Sequence, residues 1–187
     1  GEGESVNGVA DSDSFFYSDL YEELSTKEWS NSGWLYSLDE AYFEGLSNDE
    51  IKTLKSFITR VFNVRELSVK NFVKDILVAK TKELESNIKS KDCNIEFWRW
   101  VKSECPDEIK KFKSLPLIAY GKDGDEDFYC IGNNSIYLSD ALQPDNQYME
   151  SLVKKYDEDA LFISAEYLES KQATTRKEWR EFFAALG

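Results

Sequence analysis

Apolar residues recur at intervals of three and four along most of this chain, which is the spacing of amphipathic helices. The clearest case is "LSNDEIKTLKSFITRVF", where Ser47 and Glu50 form the sequence signature of a capping box. We therefore predict that a helix begins here. Its apolar stripe, predicted to face the core, consists of Leu54, Phe57, Ile58, Val61 and Phe62.

Two more helices are predicted in the first half of the chain. "DSFFYSDLYEEL" predicts a short helix capped near Asp13, with an apolar residue every four positions at Phe16, Leu20 and Leu24. A longer helix, capped by Ser68, is also predicted. Its core-facing side chains are predicted to be Phe72, Val73, Ile76, Leu77, Leu84 and Ile88. The turn-rich stretch between the short helix and residue 47 supplies two predicted core anchors, Trp29 and Trp34.

The second half of the chain mixes helices with turns. "DCNIEFWRWVKSE" predicts a helix capped by Asp92 that buries Phe97 and Val101 and leaves Trp100 half-exposed. Pro106 opens a predicted helical turn. Helical spacing also marks residues 144–157 and a closing helix, whose predicted caps are Thr175 and Gly187.

Three short apolar runs between these helices predict strands at 115–120, 128–131 and 135–138. Turn-forming Asp and Gly residues separate the first two runs, and a Gly-Asn-Asn turn separates the last two. "ALFIS", residues 160–164, predicts a further short strand. The predicted fold class is therefore α+β, mostly helical, with a small antiparallel β-meander at about 115–138 packed on helices.

Charge is unevenly distributed along the 187 residues. Residues 1–50 carry 13 acidic residues against one Lys, whereas residues 51–100 carry 11 basic residues against six acidic ones. We predict a flexible lead-in over residues 1–12, an acidic, aromatic and helical part over 13–90, and an α+β module over 91–187.

Composition excludes several chemistries. The chain contains no His and three widely spaced Cys, so a Ser-His-Asp or Cys-His system cannot form within it. An odd number of thiols indicates a reducing cytoplasm, and no apolar run approaches the roughly 18 residues of a membrane helix. An enzyme built on this chain would depend on carboxylates, Lys, Tyr or Cys.

The turn "GKDGDED" holds the candidate metal ligands Asp123, Asp125 and Asp127. A calcium loop that began at Asp123 would need Gly at its sixth position and Glu at its twelfth, but Phe128 and Asn134 stand there. We therefore interpret the stretch as a solvated hairpin tip. It presents carboxylates where a phosphate cradle would present backbone amides.

A second acidic motif, "PDEIKK", resembles the Asp, Glu and Lys set of Mg²⁺ nucleases. Proline followed by two acids is also the usual start of a helix, which is the interpretation we favour. The enzyme alternative is a carboxylate and Mg²⁺-dependent nuclease or hydrolase, built from Asp107, Glu108, Lys110, Asp123, Asp125 and Asp127.

Aromatic side chains suggest binding surfaces. "FWRWVK" would offer bases or a partner a stacking platform, although helical spacing favours burial of most of it. The candidate partner-binding residues are Trp98, Trp100, Trp179, Phe182 and Phe183. A further alternative is nucleic-acid binding through the basic helices 52–91, against which the acidic first quarter of the chain argues.

A family resemblance appears in the order "SLPLIAYGKDGD", "SIYLSDAL", "LFISAEYLES" and "EWREFFAALG", over about residues 93–187. It resembles an internal or C-terminal module of large bacterial proteins that carry a sacsin-like ATPase domain of the gyrase and heat-shock-chaperone type. The ATPase pattern itself, a helical Glu/Asn followed by Asp-x-Gly-x-Gly, does not occur in this chain. No nucleotide-binding residue can therefore be carried over.

The resemblance implies a non-catalytic structural or protein-interaction module of a larger ATPase-like protein, in a setting linked to restriction or phage defence. The implied partners are neighbouring domains of the same polypeptide and protein clients, rather than nucleic acid or membrane. We expect a cytoplasmic location and no cofactor.

Overall fold

A computed structural model describes residues 14–16, 18–143 and 148–187, which divide into one compact unit up to Ala79 and a second from Lys80 to Gly187. The strands are β1 Ser14–Phe16, β2 Tyr36–Leu38, β3 Arg65–Glu66, β4 Pro116–Tyr120, β5 Glu126–Cys130, β6 Ile136–Tyr137 and β7 Leu161–Ile163. The α-helices are α1 Asp19–Thr26, α2 Asn48–Phe62, α3 Val69–Asn71, α4 Thr81–Asn87, α5 Lys91–Glu104, α6 Met149–Val153 and α7 Ala173–Leu186. The α+β prediction is confirmed.

The first unit contains a three-stranded parallel sheet, in the order β2-β1-β3, that the sequence did not predict. Phe16 lies in β1 rather than in a helix, and it packs with Ile58 and Val64. The first helix begins only at Asp19, where Ser18 accepts a hydrogen bond from the Tyr21 amide. The predicted cap, Asp13, lies outside the described residues.

The helix α2 confirms its predicted start, because Ser47 and Glu50 make both hydrogen bonds of the capping box. It ends at Asn63, whose φ of +56° is the left-handed conformation in which helices commonly stop. Trp29 and Trp34 are buried, as predicted.

The predicted long helix after Ser68 is interrupted. The structure has α3, then a π-helical segment Phe72–Leu77, then a turn that leads into α4. The amide of Val78 donates to the carbonyl of Val73, five residues back, which is the π-type pattern. All six side chains predicted to face inward are nevertheless buried.

The second unit is built on a four-stranded mixed sheet in the order β5-β4-β7-β6. The predicted hairpin of β4 and β5 is confirmed. The predicted antiparallel meander is wrong in its third strand, because β6 lies at the opposite edge and pairs in parallel with β7. The reason is that β4 is buried along almost its whole length and takes an antiparallel partner on each side, β5 and β7.

The starts of α5 and α7 also differ from the prediction. Ser90, and not Asp92, caps α5 by accepting from the Cys93 amide. The helix α7 starts at Ala173, so Thr175 lies within it, and the Thr175 hydroxyl instead contacts the hydroxyl of Ser170 at 2.9 Å. Gly187 is the C-terminal cap of α7, as predicted.

The Tyr167 hydroxyl joins three segments of the second unit. It donates to Oδ1 of Asn94 on α5 at 2.6 Å and accepts from the amide of Ile118 on β4 at 2.7 Å. The Asn94 side-chain amide in turn donates to the carbonyls of Ile88 and Pro116. Tyr167 and Asn94 are fully buried, so these hydrogen bonds have no water to replace them.

We predict that Tyr167→Phe lowers the free energy of unfolding by about 1–3 kcal/mol, because two buried polar groups lose their partner. Urea denaturation of the full chain measures this. Tyr156→Phe is the matched control: this side chain is 87% exposed, and its loss of a hydroxyl should cost less than about 0.5 kcal/mol. Equal stability of the two variants would contradict the role of the Tyr167 hydroxyl in joining the three segments.

Candidate functional site

The acidic hairpin does not gather its carboxylates. Its turn is closed by a hydrogen bond from the Gly124 amide to the Gly121 carbonyl, with φ of +82° at Gly124. Asp123 and Asp125 are exposed, whereas Asp127 accepts from the neighbouring amide of Phe128 at 2.7 Å. The hairpin therefore has the geometry of a solvated turn.

The motif "PDEIKK" lies on the 3-10 helix Pro106–Phe112, which starts at the proline as predicted. Ile109 and Phe112 face the core, and Glu108 pairs with Lys111 at 2.5 Å. Within the described part of the chain, no three His, Cys, Asp or Glu residues form a group that could hold a metal ion. The residues of the enzyme alternative thus lie on two separate elements without a shared site.

Each of the candidate partner-binding aromatics is part of the core of the second unit. Trp98, Trp179, Phe182 and Phe183 are buried, and Trp100, expected to be half-exposed, is only 5% exposed. Trp98 packs edge-on against Phe182, and Trp179 stacks on Phe183 with ring centroids 5.2 Å apart. In the folded chain these rings present little surface to a partner.

A charged cluster that the sequence did not reveal joins α5, β5 and the segment after β7. Lys91 Nζ lies 2.7 Å from a carboxylate oxygen of Glu126 and 3.0 Å from one of Glu166. Ser164 donates from its hydroxyl to Glu126. Lys91 precedes Glu126 by 35 positions and Glu166 by 75, so no local sequence motif indicates the cluster.

The cluster raises the pKa of Lys91 and lowers the pKa of Glu126, so each favours its charged form. The hydrogen bonds to Glu126 and then to Glu166 raise the pKa of Lys91. Burial by itself raises the pKa of Glu126, but the hydrogen bonds from Lys91 and Ser164 outweigh it, so that the pKa lies below its ordinary value. A charged Lys and a charged Glu suit a structural ion pair rather than proton transfer near neutral pH.

A second polar group ties α6 to the sheet. Tyr120 donates to Glu150 Oε1 at 2.7 Å, and the Asp140 amide donates to the same oxygen at 2.8 Å. Burial, followed by the bond to Glu150, raises the pKa of Tyr120. The hydroxyl therefore stays protonated and acts as a hydrogen-bond donor, not as a base.

An open notch of about 410 Å³ lies beside the acidic hairpin. It is lined by the turn after β4 and the turn before β7, which contribute Lys122, Asp123, Glu158 and Asp159. Its lining is mainly polar and open to solvent.

Large apolar side chains are exposed on α2 and in the segment that contains α6. On α2, Phe57, Val61 and Phe62 are 47%, 51% and 52% exposed, although they were predicted to face the core. We call these three residues the α2 face. Only Ile58 of the predicted stripe is buried, with Leu54 packed beside it.

Around α6, the side chains of Tyr148, Leu152 and Tyr156 are also exposed. Of these three, Leu152 lies within α6, whereas Tyr148 is its N-cap and Tyr156 lies in the turn that follows it.

The apolar arc on α2 is wider than the part of it that the fold buries. At 100° per residue, the apolar positions from Phe57 to Phe62 cover roughly 140° of the helix circumference. The cluster that packs on α2 consists of Phe16 and Val64, with Leu38 and Phe43 at its edge. The remaining apolar surface of α2 stays exposed.

Comparison with models of known protein families, with curated proteins and with solved structures gives no match for this chain. The resemblance to modules of sacsin-like ATPases therefore stays a prediction. Among the residues that the structure describes, no helix has the length and apolar character needed to cross a membrane.

We predict that Glu126→Gln reduces the loss of stability in acid. A carboxylate whose folded-state pKa is lowered stabilises the fold above its unfolded-state pKa, and this contribution disappears as the pH falls through the folded-state pKa. Between about pH 6 and about pH 3, urea unfolding should show a smaller loss for the variant than for the native chain, by about 0.5 kcal/mol. Asp123→Asn, at the exposed hairpin tip, should behave like the native chain; equal losses in all three proteins would refute the role of Glu126.

Proposed function

We propose that this chain is a non-catalytic protein-interaction module of a larger, cytoplasmic, ATPase-like polypeptide. Its partners would be neighbouring domains of that polypeptide and protein clients, without a cofactor of its own. The observation that carries the interaction part of the proposal is the α2 face, three large apolar side chains about half exposed on one helix. The resemblance of residues 93–187 to modules of sacsin-like ATPases supports the parent polypeptide and its link to restriction or phage defence.

The α2 face has the features of a protein-binding surface. Phe57 and Phe62 contact each other edge-on, with ring centroids 6.5 Å apart. Clustered exposed apolar groups on an otherwise charged surface mark sites that bind other proteins. The capping box of Ser47 and Glu50 fixes the helix that presents them.

The polar clusters of the second unit support a structural rather than a catalytic role. Glu126 and Glu150 accept hydrogen bonds that join separate segments of the chain. Glu169 accepts from the indole of the buried Trp179 at 2.7 Å. The carboxylates best placed for acid–base work are therefore engaged in holding the fold.

Three of the cations in residues 52–91 are engaged within the chain. Arg65 pairs with Asp75 at 2.7 Å, and Lys91 pairs with Glu126 and Glu166. The ammonium group of Lys55 lies 5.2 Å from the centroid of the Phe16 ring. Such engagement leaves a weaker electrostatic surface for nucleic acid than the sequence count suggests.

Photo-crosslinking in the native polypeptide tests the proposal. With p-benzoylphenylalanine at position 57, we expect one protein segment, identified by peptide mapping, to crosslink. The same probe at Thr59, exposed on the opposite side of α2, is the matched control. Mapping also shows whether the captured segment belongs to the same polypeptide and whether that polypeptide carries an ATPase domain.

Two outcomes would count against this function. If position 57 captures nothing more than position 59 does, the α2 face is not a binding surface. If the polypeptide that carries residue 57 is close to 21.6 kDa, the chain acts alone and the parent protein is excluded.

A further inference from the structure

We infer that the α2 face binds an acidic amphipathic segment of a partner protein, one in which carboxylates flank a row of apolar side chains. This inference rests on the proposed function and adds the chemistry of the partner. It depends on the charges that border the α2 face.

Cations stand on both borders of the α2 face. Arg60 comes three positions after Phe57, which makes the two residues neighbours on the helix surface. Lys55 comes seven positions before Phe62, so it lies on the same side of the helix as Phe62 but two turns, about 10 Å, away along the axis. Arg60 is exposed and, within the described part of the chain, makes no ion pair. Lys55 is half-buried above the rings of Phe16 and Phe43 and keeps its position at the other border.

Negative charge is confined to the start of the helix. Asp49 and Glu50 occupy the first turn, where Glu50 is held in the capping box. From Ile51 to Arg65 the chain has four basic residues and no acidic residue. Beyond its first turn, α2 itself therefore carries only positive charges, in a protein whose net charge is −13.

This charge pattern decides between the occupants. A second copy of the chain, docked through the same face, would bring two cation-bordered faces together, which like-charge repulsion disfavours. A nucleic acid would match the cations but would leave Phe57, Val61 and Phe62 without apolar contacts. An acidic amphipathic segment satisfies both requirements, because its apolar row covers the rings and its carboxylates meet the cations.

Peptide binding to the full chain tests the inference. The probe is a fluorescent peptide of about 15 residues, with Leu at intervals of three and four and Glu at the flanking positions. A second peptide has Lys in place of each Glu. At about 50 mM salt, we expect the acidic peptide to bind at least about tenfold more tightly than the basic one, with the difference shrinking as salt is added.

Surface variants assign the binding to the α2 face. Phe57→Ser should weaken binding of the acidic peptide by about tenfold, whereas Tyr156→Ser, which removes an exposed ring outside the α2 face, should change its Kd by less than about twofold. Arg60→Glu should weaken the acidic peptide by about fivefold and strengthen the basic one. Lys52→Glu is the matched charge control, because Lys52 is exposed on the side of α2 away from Phe57.

Several results would overturn the inference. Equal affinity for both peptides, no binding of either, or equal effects of Arg60→Glu and Lys52→Glu would remove the acidic partner. Tighter binding of phosphatidylserine vesicles or of a DNA duplex through Phe57 would replace it with another class of ligand. The proposed function survives these results if position 57 still crosslinks to a protein, and it fails without such a crosslink whatever the peptides do.

Discussion

The buried hydroxyl of Tyr167 is the contact on which the second unit depends. It donates to Asn94 of α5 and accepts from the amide of Ile118 on β4. The side-chain amide of Asn94 in turn donates to the carbonyls of Ile88 and Pro116. The carbonyl of Pro116 also accepts from the indole of Trp98 at 3.1 Å. Buried polar groups that satisfy one another in this way fix a single arrangement of segments, since any other arrangement leaves one of them unpaired.

That constraint explains why the chain's aromatic residues serve the core. With α5, β4 and the 165–167 turn fixed, Trp179 and Phe183 of α7 pack directly on Tyr167, with ring centroids 5.7 Å and 5.2 Å away. Arg99 donates to the carbonyls of Glu166, Tyr167 and Leu168, which secures the same turn from the outside. The rings that the sequence offered as partner-binding candidates are thus buried in the fold, whereas the rings of the α2 face are exposed.

Several local signals were predicted correctly, although the N-caps of α5 and α7 were not, and the long-range strand pairings were missed. The capping box at Ser47, the proline start at Pro106 and the hairpin after Tyr120 follow from residues close in sequence. The position of β6 beside β7 depends instead on which strand takes the free edge of β4, and no spacing encodes that choice.

The same limit applies to single side chains. Phe16 has helical spacing with Leu24, but pairing of β1 with β2 and β3 places it in a strand, because tertiary contacts override local periodicity.

The candidate site was predictable only in part. Sequence spacing identified the apolar arc of α2 but predicted that all of it faces the core. Periodicity does not indicate how much of an apolar arc the rest of the fold covers. The Lys91 cluster could not be predicted for another reason. Glu126 and Glu166, which contact Lys91, lie far from it in the sequence. By contrast, one conclusion follows from composition alone. Because the chain contains no His, it cannot form a Ser-His-Asp or Cys-His system, whatever fold it adopts.

Hydroxyl-radical footprinting of the unmodified chain, read by mass spectrometry, tests the central claim most directly. It compares the solvent access of aromatic rings in one sample without any substitution. The account predicts rapid oxidation at Phe57 and Phe62, and protection of Trp98, Trp179 and Phe182 until the chain is unfolded. Protection of Phe57 and Phe62 to the same degree as the core rings would show that the α2 face is covered, and the interaction surface proposed for this chain would not exist.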